Sequence, residues 1–197
     1  MDVVALGELL IDFACLNMDQ DGYPTMAAHP GGAPCNFLAA LNKYGAKTAF
    51  LGKVGNDTFG ALLRRTLEQS GIDTRGLLTD SAVFTTLAFV TFDAQGDRSF
   101  SFARKPGADI LLHEKELDFS LIDQAKVFHF GTLSLTDEPA RSATRAAVAY
   151  AKELLQETNL PVAEICSQVG YGDLKHFNQT FKKVTSLSPG QYRKLYG

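Results

Sequence analysis

The stretch Pro30-Gly31-Gly32-Ala33-Pro34-Cys35-Asn36 decides how the rest of the chain is read. Two adjacent glycines ahead of an apolar helical run let backbone approach a bound molecule with no Cβ in the way. In the run that follows, Phe37, Leu38, Leu41 and Tyr44 are spaced for one helical face, and Gly45 stands where a C′ glycine closes a helix. Asn36 then falls in the first turn, its amide pointing where free backbone N–H groups also point. Donors and acceptors side by side suit a polyol or a sugar. A tight strand-to-helix turn with no ligand accounts for the same residues, and both readings stand at this point.

Outward from this turn, strands and helices alternate. Val3-Val4-Ala5-Leu6 is continuously apolar and ends at Gly7, as expected of a strand buried on both faces. Asp12 follows it, a carboxylate able to accept two hydroxyls or to serve as a loop cap. Residues 48–55 form a second such strand, and 61–69 a helix closed by Gly71. Further strand-like runs at 85–92 and 98–102 flank turn material, which predicts a β-hairpin standing off the main sheet. Arg104 and Lys105 sit beside the next turn, free to meet an anionic or polyol ligand or to be solvated. Residues 125–130 return as a buried strand, and 137–155 read as one helix. The alternation predicts an α/β fold with a largely parallel sheet.

The chain has 197 residues, 45% hydrophobic and 21% charged, an ordinary globular composition. Its net charge of -3 is unevenly spread: 13 basic and 18 acidic residues occupy 1–151, whereas 152–197 hold 6 and 4. An acidic body with a basic tail predicts two modules, the second able to approach a polyanion. Cys15, Cys35 and Cys166 are odd in number and widely spaced, so no disulfide framework or metal site is expected. The start of the chain lacks a basic run, and Glu8 and Asp12 interrupt its apolar stretch, so neither a signal peptide nor a membrane span is expected. A cytoplasmic protein is the expectation.

Residues 1–150 resemble the first half of a PfkB (ribokinase-like) sugar kinase, most of all the bacterial fructokinases. The resemblance rests on Gly7-Glu8, Ile11-Asp12-Phe13, Gly31-Gly32-Ala33-Pro34-x-Asn36 and Gly52-Lys53-Val54-Gly55-Asn56-Asp57-x-Phe59-Gly60. Phe102-x-Arg104-x-Pro106-Gly107-Ala108-Asp109 and His129-Phe130-Gly131 extend it, while Leu38 departs from the small residue usual at its place. It implies that Asp12, Gly31, Gly32 and Asn36 hold a fructose-like sugar, with Arg104 approaching from the hairpin side. It also implies that the hairpin is a lid through which a homodimer forms.

Phosphoryl transfer needs an anion hole, a nucleotide cradle and a base. The resemblance places these in an Asp-x-x-Gly-Ala-Gly-Asp turn with ATP and Mg. That turn is not among these 197 residues, nor is a G-x-x-x-x-G-K-[ST] loop. The sequence therefore supplies no catalytic residue, and no bound cofactor or metal is expected of it.

From residue 151 the pattern changes. Val162, Ile165, Cys166 and Val169 make one apolar face ending at Gly170, and a second helix from Asp173 carries Phe177, Phe181 and Val184. Helix, short glycine turn and helix make a helix-turn-helix. Ser188-Pro189-Gly190-Gln191 reads as a capping box opening a last short helix. Residues 151–197 resemble the second helix-turn-helix of an AraC/XylS-type transcription regulator, on Ala163-Glu164-Ile165, Val169-Gly170-Tyr171, His176-Phe177, Phe181-Lys182-Lys183 and Ser188-Pro189-x-x-Tyr192-Arg193. The resemblance implies that Lys175, His176 and Gln179 face bases and that Lys182, Lys183 and Arg193 lie near phosphates. A solvated basic face is the plainer alternative.

The fold expected is thus a truncated ribokinase-like, mostly parallel α/β sheet with a hairpin lid, followed by a small all-α module. Three functions are open: a sugar-responsive DNA-binding protein, a fructokinase completed by a partner that supplies the missing half, and a fusion fragment without joint function.

Overall fold

Val3–Leu6 is apolar at every position because the strand it forms, β1, is covered on both faces. The computed structural model describes residues 1–92, 97–156, 179, 181–182 and 187–196. Strand β1 pairs in parallel with Thr48–Gly55 (β4) on one side and Val127–Phe130 (β8) on the other. Leu77–Asp80 (β5) adds to β4, giving the parallel order β5-β4-β1-β8. Alternation along β1 sorts the core. Val3 and Ala5 pack with Leu38 of α1 (Ala33–Lys43) and with Leu63 and Leu67 of α2 (Thr58–Gln69). Val4 and Leu6 face the other way, against Leu121 of α3 (Phe119–Asp123) and Ala143 and Ala147 of α4 (Ala140–Gln156). Helices on both faces of a parallel sheet confirm the α/β class.

The sheet built on the hairpin is larger than the sequence predicts. Leu87–Phe92 (β6) and Arg98–Ala103 (β7) form the expected antiparallel hairpin, whose turn at 93–96 lies outside the described residues. Beside it Leu10–Met18 (β2) and Pro24–Gly31 (β3) pair antiparallel, and β2 runs parallel to β6. The result is a mixed sheet of order β3-β2-β6-β7. Phe13 docks it, with its ring 5.4 Å from Phe89 and 5.6 Å from Phe59 on α2. Asp12 therefore sits in a strand.

The local reading of α1 holds at one end and needs correction at the other. The helix begins at Ala33, so Asn36 is indeed in its first turn. Tyr44 is the C-cap and is 90% exposed, so Leu38, with Phe37 and Leu41, carries the packing face.

Asp57 opens α2 and braces it against Thr85, in the segment leading into β6. Its carboxylate accepts the N–H of Gly60 at 2.8 Å and of Thr85 at 2.7 Å, and the Thr85 hydroxyl at 3.0 Å. Partial burial pushes this carboxyl up, but these donors outweigh it and its pKa is lowered. The contribution is present above the ordinary carboxylate range and is lost as pH falls through the lowered value. Asp57→Ala removes the cap and leaves the Thr85 N–H without its acceptor, so urea unfolding should show a loss of about 2 kcal/mol.

At the far end, α5 (Pro189–Tyr196) starts with the predicted capping box. Ser188 N–H donates to Gln191 Oε1 at 3.1 Å, and Gln191 N–H donates to Ser188 Oγ at 3.3 Å. The ammonium of Lys152 on α4 lies 5.8 Å from the ring centres of both Phe181 and Tyr192. The helix expected over 162–170 lies outside the described residues; of the helix expected from 173, only residues 179, 181 and 182 are described, and these are helical. Among the described residues, no helix is long and apolar enough to cross a membrane. No group of three or more His, Cys, Asp or Glu there is arranged to hold a metal ion.

Candidate functional site

In the sheet order β5-β4-β1-β8, the chain first builds to one side of β1 and then crosses to the other. The crevice beyond the carboxyl end of such a strand is where open α/β sheets take ligands. Three features converge there: Gly7-Glu8 after β1, Gly131 after β8, and the N-terminus of α1.

Gly31 and Gly32 allow the convergence. A Cβ on Gly31 would strike the Asp12 carboxylate, which therefore lies directly against the Gly31 backbone. Gly32 is the N-cap of α1, with φ 118 and ψ 117, and a Cβ there would strike the Glu8 carbonyl oxygen. Asn36, one turn on, is exposed, and its N–H donates to Gly32 O at 3.0 Å. The structure thus brings Asp12, Gly31 and Gly32 into one corner and leaves the Asn36 amide on its rim.

Asp12 is half-buried, and desolvation raises its pKa, while His29, its partner across the β2–β3 pair, acts against the rise. The same row of the sheet runs on through Ala88 to Phe102, and the next through Ala14 and Val90 to Phe100. Phe100 and Phe102 stack at 6.2 Å and stay 53% and 46% exposed, an apolar wall on the face that bears Asp12. His129 lies at the end of β8 with its ring 4.6 Å from that of Phe37, and burial lowers its pKa.

Arg104 has a different setting from the other predicted sugar contacts. Its side chain is 9% exposed and pairs with Asp109 Oδ2, from Nε at 2.9 Å and from Nη2 at 2.7 Å. Nη1 and Nη2 also donate to Thr136 Oγ1 at 3.1 Å and Leu133 O at 3.3 Å. Asp109 in turn accepts the Thr86 hydroxyl. Of the predicted DNA contacts, Gln179 and Lys182 are exposed and Arg193 lies in α5. Lys175, His176 and Lys183 fall outside the described residues.

Sequence reasoning gave Glu8 no place in the site, taking it as an interruption of an apolar run and as part of the Gly7-Glu8 motif of the family resemblance. The signal was there: an acid flush against the end of a wholly apolar strand, followed at once by Leu9-Leu10-Ile11. Its carboxylate Oε1 accepts the Ala33 N–H at 3.0 Å, across a separation of 25 residues that no local pattern reveals.

The profile described as "pfkB family carbohydrate kinase" matches residues 1–171. The chain belongs to that family. A second profile, of AraC-family bacterial regulatory helix-turn-helix proteins, matches residues 155–194. Among curated relatives, fructokinase-2 of Zea mays is 47% identical over 154 residues, which are 76% of this chain and 45% of that protein. This pfkB-family chain thus spans about half the length of the curated relatives it matches. The crystal structure of fructokinase from Xylella fastidiosa superposes with a TM-score of 0.73 at 25% identity, over 98% of this chain and 65% of that one. Fructokinase from Vibrio cholerae O395, in its fructose-, ADP- and calcium-bound form, gives a TM-score of 0.68 at 33% identity, over 78% of this chain and 48% of that one.

Proposed function

We propose that residues 1–150 form the sugar-recognising half of a pfkB-type carbohydrate kinase and hold a neutral, fructose-like polyol. The observation that carries this is the Asp12 carboxylate seated against the Gly31 backbone at the N-terminal end of α1. Asp12 accepts hydroxyl protons, Asn36 supplies a donor and an acceptor, and the missing side chains of Gly31 and Gly32 let the ring approach the backbone. Phe100 and Phe102 form an apolar wall for one side of the ligand or for a second copy's lid. The Vibrio cholerae relative holds fructose and ADP, which favours a hexose as ligand.

The residues present do not fit a nucleotide. These 197 residues contain neither the glycine turn with its catalytic carboxylate nor a phosphate-cradling loop, the parts that phosphoryl transfer needs. Residues 151–197 are read as a DNA-binding module, supported by the AraC-type match and by the capping box at Ser188. A single helix-turn-helix with few phosphate contacts binds weakly and loses affinity steeply with salt.

Calorimetric titration with fructose and with ATP, run separately, tests the reading: heat with fructose and none with ATP is expected. Asp12→Asn should weaken fructose about 10- to 100-fold, the equivalent of losing a hydrogen bond to a charged acceptor. Since ionised Asp12 is the acceptor and its pKa is raised, affinity should climb as pH passes upward through that raised value. Fructose binding that ignores Asp12→Asn sinks the reading.

A further inference from the structure

Among the described residues the buried charged side chains are Glu8, Lys53 and Asp109. Lys53 meets Glu116 at 2.7 Å and Asp80 at 3.6 Å, and Asp109 meets Arg104 at 2.7 Å. Among the described residues, Glu8 has no cation in contact. It is 5% exposed, and its Oε2 has no hydrogen-bond partner. A Cβ on Gly131 would stand 2.6 Å from that oxygen, so the carboxyl fills the gap where the ends of β1 and β8 meet α1. The titratable and charged groups that act on it are Cys35 on α1 and the Asp109–Arg104 pair from the segment after β7.

We propose that Glu8 is a positioning residue for the sugar-facing turn: its carboxyl pins Ala33, and with it the stretch from Gly31 to Asn36, to the carboxyl ends of β1 and β8. This rests on the sugar-binding reading above. An uncompensated charge at this depth is costly, so the pinning form is the neutral acid. Desolvation, first among the causes, raises the Glu8 pKa, as does the Asp109 charge, against the pull of its own N–H, that of Ala33 and Arg104. Ionised, the carboxyl gains from the helix end through Oε1, but Oε2 stays without a donor, and the side chain swings towards water and frees Ala33. The pinning is therefore complete at low pH and is lost as pH rises through the raised pKa.

The test uses the whole chain, with Glu8→Gln and Glu8→Ala. Fructose affinity is measured by calorimetry from about pH 5 to about pH 9, and Ala33 amide exchange by NMR. Glutamine keeps a neutral acceptor for Ala33, so E8Q should bind within about twofold of wild type. It should also lack the decline that wild type shows towards high pH. E8A should bind about tenfold more weakly, with Ala33 exchanging about tenfold faster, as expected for one lost hydrogen bond. Equal weakening in E8Q and E8A overturns the proposal, as does unchanged Ala33 exchange in E8A. If E8A does not fold, identical pH profiles for wild type and E8Q overturn it and divergent ones support it. Should wild type give no heat with fructose, the sugar reading fails, and Ala33 exchange in wild type and E8Q across the same pH range decides whether Glu8 pins the turn.

Discussion

Arg104→Met is expected to destabilise the chain by about 3–5 kcal/mol, a large part of what a domain of this size has in total. The reason is the Asp109 side chain, 1% exposed, which would keep its charge and lose its cation. The Thr86 hydroxyl on its other oxygen cannot neutralise it. Arg104 also ties the chain just past β7 to Leu133 and Thr136, beyond β8, so its loss unfastens one sheet from the other. Replacing both partners, Arg104→Met with Asp109→Leu, should recover much of the stability, because no stranded charge remains. Urea unfolding of the two single variants and the double variant measures the coupling. The same set decides what Arg104 does for the sugar. If the double variant regains stability and also binds fructose, Arg104 holds the lid and does not touch ligand. If it regains stability and still fails to bind, the guanidinium is a ligand contact as the family resemblance implies. A single-variant loss below about 1 kcal/mol removes the whole argument.

The parts of this fold that were legible in the sequence are those whose burial is expressed locally. β1 and β4 are buried at every position as their largely apolar runs foretell, β8 is an apolar run left half-buried at the sheet edge, and the cores of α1 and α2 follow helical spacing. β2 and β3 were not legible. Pro24–Gly31 is mostly exposed, and Leu10–Met18 carries an acid among apolar residues, so neither shows the alternation of a half-buried strand. They are strands because they pair with each other and with β6, a tertiary cause. The site divides the same way. Gly31, Gly32 and Asn36 announce themselves as a glycine turn before a helix. Glu8 acquires its role only from Ala33, and Asp57 from Thr85, 28 residues distant. Arg104 was visible as a cation beside a turn, but the Asp109 that engages it was legible only as a member of a family motif. Tyr44 continued the helical spacing yet lies one residue past the helix, where no core remains to bury it.

Gly32→Ala should cost about 3 kcal/mol and abolish measurable fructose binding. Two effects add. At φ 118 and ψ 117 the backbone lies where an L side chain is strained whatever the space around it, which accounts for about 1–3 kcal/mol. The new methyl would also meet the Glu8 carbonyl oxygen and come within 3.3 Å of Leu9 Cα, both backbone atoms of the segment leaving β1. Neither can move without shifting Glu8, and relief of the clash must open the corner between Asp12 and the start of α1. Gly45 supplies the comparison, because it follows the same helix at its other end. Its φ is also positive, 85, but a Cβ there would meet nothing within 4 Å. Gly45→Ala should therefore cost only about 1 kcal/mol and leave fructose affinity within about twofold of wild type. Urea unfolding and fructose calorimetry on the two variants separate local backbone strain from damage to the site. If Gly32→Ala folds with reduced stability yet binds as wild type does, the sugar does not lie against this turn, and the approach of ligand to backbone that Gly31 and Gly32 permit is not what these glycines are for.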